Sequence, residues 1–330
     1  MIRMETDGRL TRARCLSSSL AMDRETEESA REGDMVVAGS FYGVIASQVT
    51  PFDDSGELDE GSLRRLIDRQ LAAGVHGFLI AGNCGEFTVM SDEERLRAVA
   101  VAVEQIDGRA AVMGGNFHPG TRQAVGLARR YREVGADASL VVPPYFIRPS
   151  TDGIVQFFQE VALDSGLPVI VYNNPGRTGT DLTPPIMSQL YGKPGIGGLK
   201  ECTRDLAMLA QKVQEAPKDF PILYGDDDMF FESLMMGAVG GILAACNLVP
   251  ELMLGIYREA TSGDPRRANE IQNRLIPMIL SWYTVNHPAP LKEAMAMIGW
   301  PAGRARNPLQ PMKAEQAAEV RRTLSELGLL

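Results

Sequence analysis

The sequence is poor in the residues that build metal sites, disulfide frameworks and membrane spans. Its three histidines (His76, His118 and His287) are widely separated, which disfavours a histidine-built metal site. Its four cysteines form no C-x-x-C pair, as is typical of a protein kept reduced in the cytosol. No apolar run reaches the roughly 18 residues that a transmembrane helix needs. We therefore expect a cytoplasmic protein without a metal or other cofactor.

Positive charge is scarce as well, and its distribution is informative. The formal net charge of −9 at pH 7 argues against nucleic acid and anionic membranes as partners. Five of the six lysines lie in helical or turn-like surroundings, where a solvated charge is expected. The sixth, Lys200, directly follows the apolar run Ile196-Gly-Gly-Leu199. Burial favours the uncharged, nucleophilic form of an amine, so Lys200 is a candidate nucleophile. The alternative is a lysine whose long stem carries its charge out to water.

From Tyr42 onward, short apolar runs alternate with helical patterns. Eight such pairs follow one another in about 220 residues, and the apolar runs are continuous, as in strands buried on both faces. Ser91-Asp-Glu-Glu94 predicts a capping box at the start of one helix. No G-x-G-x-x-G follows the first strand, which removes the main support for a dinucleotide-binding fold. The pattern predicts an α/β fold, a (β/α)₈ TIM barrel with a C-terminal helical appendage.

The same pattern predicts the domain organisation. Residues 1–38 carry mixed charges and a serine run, which predicts a disordered extension outside the fold. Residues 39–262 hold the eight strand–helix units of the barrel. Residues 263–330 contain helical patterns alone, and we expect these helices to pack on the barrel.

Polar residues collect where the predicted strands end, which is the face that carries the active site in barrels of this kind. Strand 2 is followed by Gly82-Asn-Cys-Gly-Glu86, strand 5 ends in Tyr172-Asn-Asn-Pro-Gly-Arg-Thr-Gly179, and strand 6 ends in Lys200-Glu201. Asp226 and Asp227, after strand 7, favour a helix cap over a metal site. Cys84, Cys202 and Cys246 also fall near strand ends, where small buried apolar residues are a better interpretation than thiolate ligands.

A lysine, a tyrosine, an arginine and a glycine-bounded amide loop at one rim suit one chemistry. An amine condenses with the keto group of a 2-oxo acid, and the iminium then serves as an electron sink. Backbone amides of the loop can bind the neighbouring carboxylate. The hydroxyl of Tyr172 can shuttle protons, and Arg177 can hold a second carboxylate.

At these residues the sequence resembles the dihydrodipicolinate synthase / N-acetylneuraminate lyase family of class I, Schiff-base aldolases and lyases. The resemblance runs from about Tyr42 to the C-terminus. It rests on Tyr172–Gly179 and Gly198-Leu-Lys-Glu201 at the family's spacing, with Gly225-Asp-Asp, Gly237-Ala-Val-Gly240 and Asn247 in agreement.

The resemblance implies a role for each site residue. Lys200 forms the Schiff base with pyruvate or another 2-oxo acid, and Tyr172 is the proton shuttle. Substrate binding falls to Gly82, Asn83, Cys84, Gly85, Arg177 and Ile242. Arg177 occupies the position that binds the carboxylate of the aldehyde substrate, and Ile242 lines the pocket. The family also implies a homo-oligomer, a dimer or a tetramer.

Two departures from the family pattern bear on the second substrate. The synthases have Gly-Thr-Thr-Gly-Glu where this chain has Gly82-Asn-Cys-Gly-Glu86. They also carry a tyrosine, contributed across the dimer interface, at the position of Phe146. Phenylalanine cannot transfer a proton, so the hydroxyl relay through Tyr172 is incomplete.

We therefore expect a metal-independent lyase or aldolase that condenses or cleaves pyruvate or a related 2-oxo acid with an acidic aldehyde. Two other substrate assignments remain. One is the genuine synthase of lysine biosynthesis, and the other is an aldolase or dehydratase of 2-keto-3-deoxy sugar acids. A 2-oxo acid-binding sensor barrel is the alternative without catalysis.

Overall fold

The computed structural model describes residues 41–330, and the predicted N-terminal extension lies outside the described residues. Eight parallel strands close into a barrel in the order β1 to β8, and each strand pairs with its neighbours in the sequence. The strands are β1 Gly43–Ser47, β2 Gly77–Ile80, β3 Ala111–Asn116, β4 Ala138–Val141, β5 Val169–Asn173, β6 Ile196–Glu201, β7 Ile222–Tyr224 and β8 Gly240–Leu243. This confirms the predicted TIM-barrel fold class.

Helices alternate with the strands and cover the barrel. They are α1 Glu60–Ala73, α2 Asp92–Ile106, α3 Thr121–Glu133, α4 Thr151–Ser165, α5 Pro175–Thr178, α6 Pro184–Leu190, α7 Leu206–Glu215, α8 Phe230–Met235, α9 Pro250–Ser262, α10 Pro265–Trp282, α11 Ala289–Met297 and α12 Ala314–Glu326. The capping box at α2 is confirmed, because the Ser91 hydroxyl accepts from the amide of Glu94 and the Glu94 carboxylate accepts from the amide of Ser91. Within residues 41–330, no helix is both long and apolar enough to cross a membrane.

Alternate residues of the strands point into the barrel and fill it. They form one buried apolar cluster that includes Ile45, Leu79, Met113, Leu140, Ile170, Leu223 and Ile242. The intervening residues face outward and pack under the helices. Because side chains alternate along a strand, an inward-facing residue at a carboxyl end opens onto the mouth of the barrel.

The C-terminal helices α10, α11 and α12 share a hydrophobic cluster with β1, α1 and α2. Trp282, Leu291 and Leu324 are buried in that cluster beside Val44 and Leu63. The chain between α10 and α11 and the chain after α11 reach the carboxyl-terminal side of the barrel. The helices predicted after residue 262 therefore pack on the barrel and also border its mouth.

Several predicted boundaries are wrong by a few residues. The apolar runs predict a first strand over Gly43–Thr50 and an eighth over Gly241–Cys246, whereas β1 ends at Ser47 and β8 at Leu243. The helical pattern predicts a helix over Pro265–Val285, whereas α10 ends three residues earlier, at Trp282. The sequence pattern predicts no helix directly after the fifth strand, where the structure has the one-turn helix α5, Pro175–Thr178.

Candidate active site

Lys200 and Tyr172 lie side by side at the carboxyl ends of neighbouring strands. Lys200 on β6 is the register partner of Tyr172 on β5, and the Lys200 Nζ atom lies 4.4 Å from the centre of the Tyr172 ring. Both side chains are buried, with Lys200 only 4% exposed. The next strand leaves room for them at Gly225, where a Cβ would come within 2.7 Å of Lys200 Cε. The expected lysine–tyrosine pair is thus present at the barrel mouth.

Three lysines are buried, and their surroundings differ. Lys212 donates to Glu201 at 2.6 Å, and Lys292 donates to Glu86 at 2.8 Å. Among residues 41–330, Lys200 makes no ion pair. The prediction that every lysine but Lys200 is solvated is therefore wrong for Lys212 and Lys292. An amine that is desolvated and not held by a carboxylate is the chemically available one of the three.

The Tyr172 hydroxyl is a proton donor at neutral pH. Burial raises the pKa of Tyr172 well above its usual value, so the phenol stays protonated. The hydroxyl accepts from Asn174 Nδ2 at 3.0 Å, and the Cys202 thiol lies 3.9 Å away. No acceptor for the hydroxyl proton is found in the described part of the chain, so that proton is free for a bound substrate.

Two cavities meet at this pair. The inner one has a volume of about 20 Å³, room for a water-sized group, and the outer one about 240 Å³. The lining of the inner cavity includes Lys200, Tyr172, Cys84, Ile242, Tyr283 and His287. Tyr172 and Asn83 line both. A small cavity at Lys200 therefore adjoins a larger one through Tyr172 and Asn83.

The glycine-bounded loop after β2 forms one wall of the inner cavity. Gly85 allows a tight fold, since a Cβ there would lie 2.9 Å from the Ala81 backbone. No residue of the described range accepts a hydrogen bond from the amides of Asn83, Cys84 or Gly85. Unpaired amides at a turn provide a concave site for an anion, and a carboxylate fits it.

Glu86 fixes the far end of this loop. Its carboxylate, completely buried, accepts from Lys292 Nζ and from the amide of Arg306, both at 2.8 Å. The Thr50 hydroxyl also donates to the carbonyl of Gly85 at 2.8 Å. The C-terminal helices thus hold the loop in position over Lys200.

Arg177 borders the outer cavity. It lies in α5, which Asn174 precedes, and its side chain is exposed and makes no ion pair with any described carboxylate. An arginine in this position is available for a carboxylate on a substrate that extends outward from Lys200.

Comparisons with known proteins agree with this geometry. The sequence model of the Dihydrodipicolinate synthetase family matches residues 40–327. The 4-hydroxy-tetrahydrodipicolinate synthase of Methanopyrus kandleri is 36% identical over 290 residues, which cover 87% of this chain and 97% of the relative. That of Ralstonia nicotianae is 37% identical over 288 residues, 87% of this chain and 98% of the relative.

Solved structures show the same similarity. The crystal structure of dihydrodipicolinate synthase from Aquifex aeolicus superposes with a TM-score of 0.85 at 32% identity, covering 88% of this chain and 99% of that one. The chain belongs to the dihydrodipicolinate synthetase family. Membership confirms the resemblance seen in the sequence and the class of enzyme, a lyase of the aldolase type.

The structure shows where the two departures from the family pattern lie. Phe146 follows β4, has a positive φ of 70° and is 100% exposed, so in a single chain it does not reach the cavity. Its neighbour Tyr145 lines the outer cavity instead. Asn83 and Cys84 lie at the cavity wall as expected, and Cys84 is buried.

Four polar residues of the inner cavity, Ser47, Asp227, Tyr283 and His287, are not among the site residues predicted from the sequence. Tyr283 and His287 come from the segment between α10 and α11, far along the chain from the other site residues. Asp227 does not cap the following helix as predicted; its carboxylate accepts from the amides of Ala244 at 3.3 Å and Ala245 at 2.8 Å, after β8. Of these, only the doublet Asp226-Asp227 gave a signal in the sequence.

Proposed function

We propose that this member of the family forms an imine between Lys200 and pyruvate or a related 2-oxo acid, and joins that unit to, or cleaves it from, an acidic aldehyde. The observation that carries the proposal is the buried Lys200 amine, which forms no ion pair with any residue of 41–330 and lies against Tyr172. A structural lysine at such a depth needs a carboxylate, as Lys212 and Lys292 show.

The geometry supports a defined division of roles. The Lys200 nitrogen attacks the keto carbon, water leaves, and loss of a proton from C3 gives the enamine that attacks the aldehyde carbon. In this proposal Tyr172 carries protons between these species. The amides of Gly82–Gly85 bind the carboxylate beside the imine, Ile242 packs against the chain of the 2-oxo acid, and Arg177 binds the acid group of the aldehyde.

Two observations bear on the second substrate. The relatives named 4-hydroxy-tetrahydrodipicolinate synthase, together with Arg177, favour an aspartate-derived semialdehyde. The absence of a hydroxyl at Asn83 and Phe146 favours the second candidate, cleavage or dehydration of a 2-keto-3-deoxy sugar acid. The two are separated by comparing kcat/KM for pyruvate plus semialdehyde with that for the sugar acids.

We further propose a homo-oligomer, a dimer or a homotetramer, that works in the cytoplasm. The fully exposed Phe146, next to the half-exposed Ile147, supports an interface at the loop after β4. The free thiols of Cys84, Cys202 and Cys246 support a reducing compartment.

Borohydride trapping tests the catalytic proposal. The protein is incubated with pyruvate, reduced, digested and analysed by peptide mass spectrometry. We expect a reduced adduct on Lys200, and we expect Lys200→Ala to lose both the adduct and turnover while remaining folded by circular dichroism. Lys193→Ala, at an exposed lysine, is the matched control and should retain both.

An adduct with longer 2-oxo acids but not with pyruvate would move the assignment to sugar acids. Full turnover in Lys200→Ala, or no adduct with any 2-oxo acid, would contradict the imine mechanism. The second result would favour the sensor barrel.

A further inference from the structure

His287 is a residue of the inner cavity that the proposed mechanism leaves without a role. It lies in the segment between α10 and α11, is 5% exposed, and stacks beside Trp282 and Tyr283 with ring centres 5.6 and 5.1 Å away. Its Nε2 atom lies 3.3 Å from the Sγ atom of Cys84. The C-terminal segment thus places an imidazole against Cys84, in the lining of the same cavity as Lys200.

The pair is uncharged at neutral pH. Burial, with Arg177 and Lys200 nearby, lowers the pKa of His287 to about 3. Burial also raises the pKa of the Cys84 thiol to about 11. A neutral thiol and a neutral imidazole together hold two protons, one on sulfur and one on nitrogen. The contact between them uses one of these protons.

The other proton is therefore available outside the pair. If the thiol donates to Nε2, the free donor is the N–H at Nδ1. If Nε2–H donates to sulfur, the thiol keeps its proton, and the Ser47 hydroxyl lies within hydrogen-bonding reach of that thiol. In the described residues Nδ1 has no hydrogen-bond partner, although it is buried. A buried polar atom left unpaired is destabilising, so such an atom on a residue that lines a cavity points to a ligand that pairs with the group.

The remaining polar groups around the cavity identify the ligand's chemistry. The Asp227 carboxylate already accepts from the amides of Ala244 and Ala245. The amides of Asn83, Cys84 and Gly85 are free donors, so this end of the cavity offers donors to an anion. A 2-oxo acid bound to Lys200 carries one anionic group, the carboxylate beside the imine carbon.

We propose that the Cys84–His287 pair donates a hydrogen bond to the carboxylate of the 2-oxo acid held on Lys200, and so acts as a specificity determinant for 2-oxo acids over neutral carbonyl compounds. The proposal rests on the imine function and adds to it a recognition residue from the C-terminal segment. The pair supplies the donor that a hydroxyl at this loop would otherwise provide.

The test compares pyruvate with pyruvamide, which has the same keto group but no carboxylate. For each probe we measure the concentration that gives half-maximal borohydride trapping on Lys200. We expect His287→Phe, which keeps an aromatic ring for packing, to raise the half-saturating concentration of pyruvate about tenfold, the equivalent of about 1.4 kcal/mol. The half-saturating concentration of pyruvamide should stay within a factor of two of its value in the unmodified protein.

Two further variants complete the experiment. Cys84→Ala leaves the histidine ring in place. It should also raise the half-saturating concentration of pyruvate without changing that of pyruvamide, which keeps the test open if His287→Phe does not fold. Val285→Ala, at a 97% exposed position of the same segment, should change neither value.

The possible failures are distinguishable. If His287→Phe raises the half-saturating concentrations of pyruvate and pyruvamide equally, or changes neither, His287 serves packing alone. Either result would overturn this inference while leaving the imine on Lys200 intact. Absence of any adduct in the unmodified protein would overturn the imine function, and this inference with it.

Discussion

Three buried lysines show how one residue type acquires different roles from its surroundings. Lys212 and Lys292 each contact a buried carboxylate, which compensates for the loss of water around the charge. Lys200 contacts the ring of Tyr172 instead. A lysine fixed in an ion pair is a poor nucleophile because the carboxylate favours its protonated form. Within residues 41–330, the lack of an ion pair at Lys200 is therefore the feature that distinguishes the proposed nucleophile from the two other buried lysines.

At the same scale, Arg177 should determine affinity for the aldehyde partner. Arg177→Gln removes a charged hydrogen-bond donor, and such bonds contribute about 1.5–3 kcal/mol. We expect KM for the acidic aldehyde to rise about tenfold or more, with pyruvate trapping on Lys200 unchanged. Steady-state kinetics with each substrate varied in turn measures this.

Arg177→Lys separates charge from geometry, because lysine keeps the charge but cannot bind a carboxylate through two parallel N–H groups. Arg130→Gln, on the exposed face of α3, is the control. A parallel loss of pyruvate trapping in Arg177→Gln would show that the arginine acts on the imine side of the site.

At the scale of elements, the ends of β7 and β8 are joined by a buried acid. Asp227, after β7, accepts from the amides of Ala244 and Ala245 after β8. Burial raises the pKa of Asp227 from 3.8 to about 7. The folded state therefore binds this proton more tightly than the unfolded state does. Its contribution to stability is fully present below pH 3.8 and is lost as the pH rises through about 7.

This linkage predicts a pH-dependent difference between the protein and Asp227→Asn. Between pH 5 and pH 7, Asp227 lowers the free energy of unfolding by up to about 1.4 kcal/mol per pH unit, and the amide variant lacks this slope. Urea unfolding at several pH values measures it, with Asp219→Asn at an exposed loop as control. Parallel stability profiles for the protein and Asp227→Asn would mean that the carboxyl group is already ionised at pH 5.

At the scale of the whole molecule, the exposed Phe146 predicts self-association. A fully exposed phenylalanine beside a half-exposed isoleucine is unfavourable in water unless a partner covers it. Phe146→Asp places a charge in the proposed interface, so sedimentation velocity should shift from a dimer or tetramer to a smaller species. Leu163→Asp, at an exposed position of α4, should leave the distribution unchanged. A monomer in the unmodified protein would contradict the proposed oligomer.

The barrel and some of the residues at its mouth could be predicted from the sequence, for physical reasons. Strands buried on both faces leave continuous apolar runs, so all eight could be located. Lys200, Tyr172 and the loop at Gly82–Gly85 lie directly at strand ends, where position in the chain implies position in space. The domain boundary at residue 262 stays a prediction, since α10–α12 share one hydrophobic cluster with the barrel.

The missed residues act over long sequence separations. His287 meets Cys84 across 203 residues, and Lys292 meets Glu86 across 206. No periodicity encodes such a contact. Lys292 gave one available signal, because it stands among apolar residues in Ala289–Met297, where a solvated charge is out of place. The one-turn helix α5 was missed because a single turn is too short for a periodic pattern.

The attachment of the Glu86 loop to Lys292 and Arg306 has a consequence for the order in which the protein is made. Synthesis runs from the N-terminus at roughly 5–20 residues per second, so all eight strands leave the ribosome seconds before the last helices do. During that interval the loop facing Lys200 lacks the contacts that hold it, and His287 is not yet in place. On the proposed imine function, we expect a nascent chain with a complete set of strands to be inactive, with the Lys200 amine unproductive towards carbonyl compounds until the last helices have been made.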